Sequence, residues 1–239
     1  MGGSPIETNM KTTTKRALGL IFTIMLMDIV GLTILYPVAT YIVLRYSGDA
    51  LTVTMITSVI YAAAQFLAAP VLGNLSVRYG RRPVLLVSVF GSAIGYVIFG
   101  LGGALWVLSL SRLIGGITGG NLSTASAYIA DVSKPEERAK NFTLIGMAWG
   151  LGLVLGPAVG AALGQISLES PAFIAAALSL LNVLLGLFLL PESLPKERRV
   201  ITPIGAKDFN PLASIGEMAR KPGLGWLLLV LCLFNFAFN

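Results

Sequence analysis

Of the 28 formal charges in this 239-residue chain, two lie deep inside apolar runs: Asp28 and Arg112. A charged side chain in hydrocarbon is costly, so it normally faces a cavity or another charge and marks a substrate or proton path. The chemistry open to this pair is reversible protonation. A carboxyl group's proton affinity is set by its burial and by a guanidinium nearby, so moving the two relative to each other could load and release a proton. A static ion pair that only locks helices together is the structural alternative. With no histidine in the chain, Asp28 is the expected proton carrier, and His-based metal ligation and general-base catalysis are excluded. The lone Cys232 lies in an apolar run and forms neither an intrachain bridge nor a metal site. No metal, cofactor or enzymatic activity is expected.

The elements that must hold these residues are long and apolar. The chain is 55% hydrophobic and 12% charged, half the charge of a soluble domain, which excludes disorder, a secreted disulfide scaffold and a cytosolic enzyme. Seven apolar runs, 17–44, 51–75, 83–102, 104–130, 142–166, 171–190 and 224–239, predict membrane-spanning helices, because only helices or closed barrels satisfy a backbone in lipid. Asp28 is then roughly 16 Å and Arg112 roughly 12 Å from opposite edges, both in the middle third of the bilayer. Residues 1–16 form a polar tail without the features of a cleavable signal peptide. Segment 191–223 reads as a linker between two transporter halves. The last run covers roughly 24 Å against a hydrocarbon core of roughly 30 Å, so the chain is expected to stop inside a seventh helix.

Fifteen of the 17 lysines and arginines fall on one side of these spans, with Arg45 alone on the other and Arg112 within one. This places the N-terminus in the cytoplasm. It also explains the net charge of +6 without nucleic acid. The span count suits a seven-helix receptor, but the charge bias argues against one.

Further polar residues sit at membrane depth. Thr54, Ser58, Tyr61 and Gln65 form a stripe on the second span, and Arg112, Gly116, Gly119 and Ser123 one on the fourth. Asn121 and Asn182 are amides that need partners there. Tyr61, Gln65, Asn121 and Asn182 are candidates for a substrate cavity, with helix-to-helix adhesion as the alternative. Gly152, Gly156, Gly160 and Gly164 recur every fourth residue on the fifth span around Pro157, giving a smooth face where another helix can approach and a place to bend.

Several motifs in order resemble the major facilitator superfamily. The loop from Gly73 through Val77, Arg78, Gly80, Arg81 and Arg82 to Pro83 is similar to its signature loop. Arg112, Gly116 and Gly119 resemble its fourth-helix motif, and Gly152, Gly156, Pro157 and Gly160 its antiporter motif. Asp28 with Gly31 and Pro37, Pro135 through Glu137 to Arg138, and Pro191-Glu192-Ser193 fit the same family. Asn210 to Ser214 points towards bacterial tetracycline/proton antiporters and related drug exporters.

The resemblance implies an all-α membrane protein: a six-helix N-terminal bundle (17–190) of two inverted three-helix repeats, plus the start of helix seven (224–239). It implies efflux of a small amphipathic drug in exchange for protons across a bacterial plasma membrane, completed by a C-terminal half. Asp28 and Arg112 would couple protons, and Arg78, Arg81 and Arg82 would hold a cytoplasmic gate. The signature loop normally carries an acid where this chain has Val77, which leaves the arginines one partner short. Asp131, Glu136 or Glu137 could substitute. A symporter for sugars or other metabolites, and a non-transporting receptor or scaffold, are the alternatives.

Overall fold

The computed structural model describes residues 5–199 with Gly225, Trp226 and Val230, and side chains from Thr14 onward except Ala50 and Thr54. The chain divides into Met1–Val200 and Ile201–Asn239. In the second unit the three described residues are helical; the rest of the expected linker beyond Arg199 and of the seventh helix lies outside the described residues.

All regular structure among the described residues is helical. Span I is α1 (Pro5–Thr33) and α2 (Tyr36–Leu44), and span II is α3 (Ala50–Thr54), a π turn (Met55–Val59) and α4 (Ile60–Tyr79). Span III is α5 (Arg81–Leu101), and span IV is α6 (Leu105–Gly119) and α7 (Leu122–Val132). Span V is α8 (Arg138–Gly164) and span VI is α9 (Ser170–Leu189). Five of the six are long and apolar enough to cross a membrane as near-continuous helices.

The fourth expected span departs from this pattern, because it breaks between α6 and α7. Gly119, Gly120 and Asn121 are weak helix formers. Gly120 also lies so close to span II that a Cβ there would sit 3.0 Å from the Ala69 backbone. Span I breaks at Ile34–Leu35 because Pro37 has no N–H to donate to the preceding turn.

Packing follows one rule twice. Span I packs on V and VI, and span IV packs on II and III; I meets IV, and III meets VI. Exchanging spans I–III for IV–VI converts I–V into IV–II and I–VI into IV–III, and returns the other two pairs to themselves. That is the pairing expected of two inverted three-helix repeats.

The apolar core has two parts. One, at the basic end, gathers Ile21, Leu85, Tyr128 and Leu190; the other gathers Ile34, Val43, Phe99 and Leu108. Asp28 lies on α1 within the stretch of the first, between Met25 and Ile29.

Candidate functional site

Asp28 faces a small, partly open cavity of about 40 Å³. That leaves room for roughly one to three waters. Tyr61, Gln65, Ser92, Tyr96 and Asn121 supply its polar wall, and Ile24, Met25 and Trp149 part of the apolar one. Asn121 donates its amide N–H to Asp28 Oδ2 at 3.0 Å. The helix break therefore has a use, since the residue that interrupts span IV is the one that holds the carboxylate of span I. Gln65 donates to the Gly119 carbonyl at the same break, at 2.9 Å.

The cavity shares a wall with an open groove of about 540 Å³, where Tyr36, Tyr61 and Trp149 join Leu32, Gln65 and Ser126. This volume and its mixture of aromatic and polar groups suit a small amphipathic molecule. Asp28, Leu32 and Tyr36 recur at intervals of four on span I, as Ser92 and Tyr96 do on span III. Tyr36, Ser92, Tyr96 and Trp149 are absent from the expectations above, although that period was legible for the first three.

Arg112 is nearly enclosed, 6% exposed, with its guanidinium carbon 4.2 Å from the centre of the Phe99 ring. Among the described residues it makes no ion pair, and its Nε has no hydrogen-bond partner. Asp28 and Arg112 are thus not paired with each other. Tyr61 and Tyr96 lie within electrostatic reach of both charges.

The other candidates divide. Tyr61, Gln65 and Asn121 line the cavity, whereas Asn182 does not. It is buried between spans VI and I, donating to the Ile24 carbonyl at 2.9 Å. Gly116 and Gly119 press on span II: a Cβ at Gly116 would overlap the Tyr61 carbonyl, and one at Gly119 the Tyr61 hydroxyl. Ser123 bonds the Ala69 carbonyl at 3.2 Å, and Ser58 is exposed. The side chain of Thr54 lies outside the described residues. Gly152, Gly156 and Gly160 press on span I against Ile29, Thr33 and the Ile34 backbone, and the Thr33 hydroxyl reaches the Gly152 carbonyl at 2.9 Å. Pro157 sits within α8, which continues through it.

At the basic end the signature loop is tied down by acids from elsewhere. Arg81 Nε donates to Asp131 at 3.0 Å, and its Nη1 to the Ser76 hydroxyl at 2.6 Å. Glu192 Oε1 accepts the backbone N–H groups of Arg81 (2.9 Å), Ser193 (3.0 Å) and Leu194 (3.1 Å), so a carboxylate from beyond α9 caps the N-terminus of α5. Gly80, at φ +107°, permits this approach, since a Cβ there would overlap that carboxylate. The Arg82 guanidinium donates to the Gly186 and Leu187 carbonyls. Gly73 packs near the Ser123 hydroxyl, Val77 and Arg78 are half-buried, and Glu136, Glu137 and Arg138 are exposed and without an ion pair among the described residues. Glu192 is read above only as part of a motif, and its capping role is missed because Arg81 lies 111 positions away in sequence.

Six packed helices whose contacts repeat under exchange of the two threes, with a half-buried carboxylate beside a groove, are the arrangement on which transporter halves are built. The Major Facilitator Superfamily model matches residues 21–239, and the chain belongs to that family, whose members are transporters rather than enzymes. It is 43% identical over 190 residues to the class C tetracycline resistance protein of Escherichia coli, covering 79% of this chain and 47% of that protein. To the class B protein of Escherichia coli it is 36% identical over 200 residues, 83% of this chain and 49% of that one. The chain thus spans about half the length of these relatives. The crystal structure of the human organic anion transporter MFSD10 superposes with a TM-score of 0.75 at 30% identity, over 87% of this chain and 56% of that one. A peptide transporter, at 18% identity and a TM-score of 0.66, shares the fold.

Proposed function

We propose that this chain is the N-terminal half of a proton-coupled exporter of amphipathic drugs of the tetracycline type. It would lie in a bacterial plasma membrane with its N-terminus in the cytoplasm and be completed by a C-terminal half. The observation that carries the reading is Asp28: a lone, half-buried carboxylate in a small cavity, held by Asn121 and adjoining an aromatic groove. The tetracycline resistance proteins among its relatives support the substrate class, and the one-sided distribution of lysine and arginine supports the orientation.

The proposed chemistry is an exchange at one site. Ionised Asp28 is an acceptor only and favours a substrate that brings donors or positive charge; protonated, it becomes a donor and loses that attraction. Proton arrival therefore releases substrate, and substrate arrival displaces the proton. Arg112, unpaired and coupled electrostatically to Tyr61 and Tyr96, biases the field in which Asp28 gains and loses its proton. Asp28→Asn in the complete transporter should abolish substrate-driven proton flux while the protein still folds and inserts. Uphill export at the wild-type rate in that variant removes Asp28 from the mechanism.

An organic anion is the second reading, from the likeness to the organic anion transporter MFSD10 and the unpaired Arg112 guanidinium. Arg112 does not line the cavity or the groove, which favours the first. The charge of the exported compound and the sign of the accompanying pH change in vesicles separate antiport of a drug from both anion transport and metabolite symport.

A further inference from the structure

A second opening lies on the outer wall of the bundle, away from Asp28. At the basic end, α1 and the last turn of α9 part around a groove of about 850 Å³ lined by Arg16, Gly19, Leu20, Thr23, Arg82 and Phe188. Its α1 residues recur at i, i+3, i+4 and i+7, so one face of that helix forms the floor. Gly19 has open space above it, and Phe188 is 81% exposed.

The two arginines differ in how they are held. Arg82 is fixed by its bonds to the Gly186 and Leu187 carbonyls, which use two of the five N–H donors of a guanidinium. Arg16 is exposed on the facing helix. No carboxylate lines the groove among the described residues, since Glu192 and Asp131 are engaged at the start of α5. Two guanidinium groups therefore meet at an opening whose remaining wall is mostly apolar. Thr23 lies roughly 10 Å deeper than Arg16 along the helix, so the groove runs from a charged mouth into hydrocarbon.

We propose that this groove binds an anionic phospholipid, with its phosphate between Arg16 and Arg82 and an acyl chain along Leu20, Thr23 and Phe188. Basic pockets between membrane helices recognise lipid headgroups by charge. A free phosphate would share the headgroup contacts but gain nothing from the apolar floor. The site is separate from the Asp28 cavity and does not depend on what the protein transports.

The test is native mass spectrometry of the detergent-solubilised protein with phosphatidylglycerol and phosphatidylcholine, with inorganic phosphate as competitor. Phosphatidylglycerol should be retained preferentially, and Arg16→Gln should cut that preference about fivefold. Arg16 donates no side-chain hydrogen bond among the described residues, so this variant leaves the fold intact. Arg82→Gln should have a similar effect but also removes two ties to α9. A photoreactive phosphatidylglycerol, which reads the site without any mutation, should label residues 16–23 and 188–191. An unchanged lipid preference in Arg16→Gln, displacement of the lipid by inorganic phosphate, or labelling confined to other helices would each overturn the proposal.

Discussion

Spans I and V meet as spans IV and II do, through glycines that bring two helices close, yet the two interfaces have different contents. On the I–V side the glycines belong to V and meet Ile29, Thr33 and the Ile34 backbone. On the IV–II side they belong to IV and meet Tyr61, Ala64 and Gln65. The inverted repeat conserves the close approach but exchanges which partner supplies the small residues. The first interface is predominantly a packing surface. The second places a tyrosine hydroxyl and an amide beside Asp28, so the same geometry builds a joint once and a binding wall once.

The largest expected effect tests that contrast directly. Gly160→Ala adds a methyl group that would overlap the Ile34 carbonyl, a backbone atom with nowhere to go. A loss of about 1–3 kcal/mol is expected, the usual cost of overpacking. It should appear as a lower melting temperature in detergent and reduced membrane accumulation. Gly119→Ala meets the end of the Tyr61 side chain, which can swing. That variant should melt close to wild type but lose substrate selectivity or rate. Equal destabilisation by the two substitutions would remove the distinction between joint and wall.

The buried asparagines give a second, smaller contrast. Asn182 ties span VI to the Ile24 carbonyl, and Asn121 ties span IV to Asp28. Asn182→Ala removes a second hydrogen bond from a carbonyl that the α1 backbone already engages, and should cost about 0.5–1.5 kcal/mol of stability. Its pH–transport profile should stay in place. Asn121→Ala should move the pH at which coupled transport is half-maximal, because the carboxylate loses its donor. A profile that moves with Asn182 but not with Asn121 would reverse their assigned roles.

The positions of these residues explain what was readable in the chain. Five of the seven expected spans are near-continuous helices, legible from hydropathy alone because a membrane helix must be long and apolar. The break at Gly120 was less legible: glycines and asparagine lower helix propensity, but the approach of Ala69 decides that the helix parts there. Asp28 stood out as a charge in an apolar run, and Asn121 as an amide at the same depth. Their pairing with each other, rather than Asp28 with Arg112, depends on how spans I and IV are rotated, which one-dimensional depth does not contain. Asn182 fails as a cavity residue for the same reason, since depth alone cannot separate an interface from a lumen.

The signature loop offers a smaller perturbation. Val77 stands where the family normally carries an acid, and Arg81 is held by Asp131 while Glu192 caps the start of α5. Glu192→Gln keeps an acceptor but removes the charge that favours a helix N-terminus, so a loss of about 0.3–1 kcal/mol is expected. Proteolysis between α9 and the following segment should become faster. Val77→Asp would bring a further acid to the loop and should shift the transporter's inward–outward balance, read by accessibility labelling. An unchanged balance and unchanged transport would show that Val77 costs the gate nothing.

The opposite end supplies the smallest expected effect. There a single exposed pair, Arg45 with Glu169, joins the loop after span I to the loop before span VI, with side-chain exposures of 49% and 34%. A hydrogen bond from its own backbone N–H is the main influence holding the Glu169 carboxyl below its usual 4.5, opposed by slight burial and assisted by Arg45. Because the folded-state value is depressed, the stabilisation is fully present above about 4.5 and is lost as the pH falls through the folded-state value. Solvent screening limits an exposed pair to about 0–1 kcal/mol. Glu169→Gln should therefore lower the melting temperature slightly at pH 7, and the difference should vanish once the pH has fallen through the folded-state value and the wild-type carboxyl is itself protonated. A difference that does not shrink as the pH falls would mean that the glutamate acts through its shape and not its charge. The two ends would then differ in packing rather than in electrostatics.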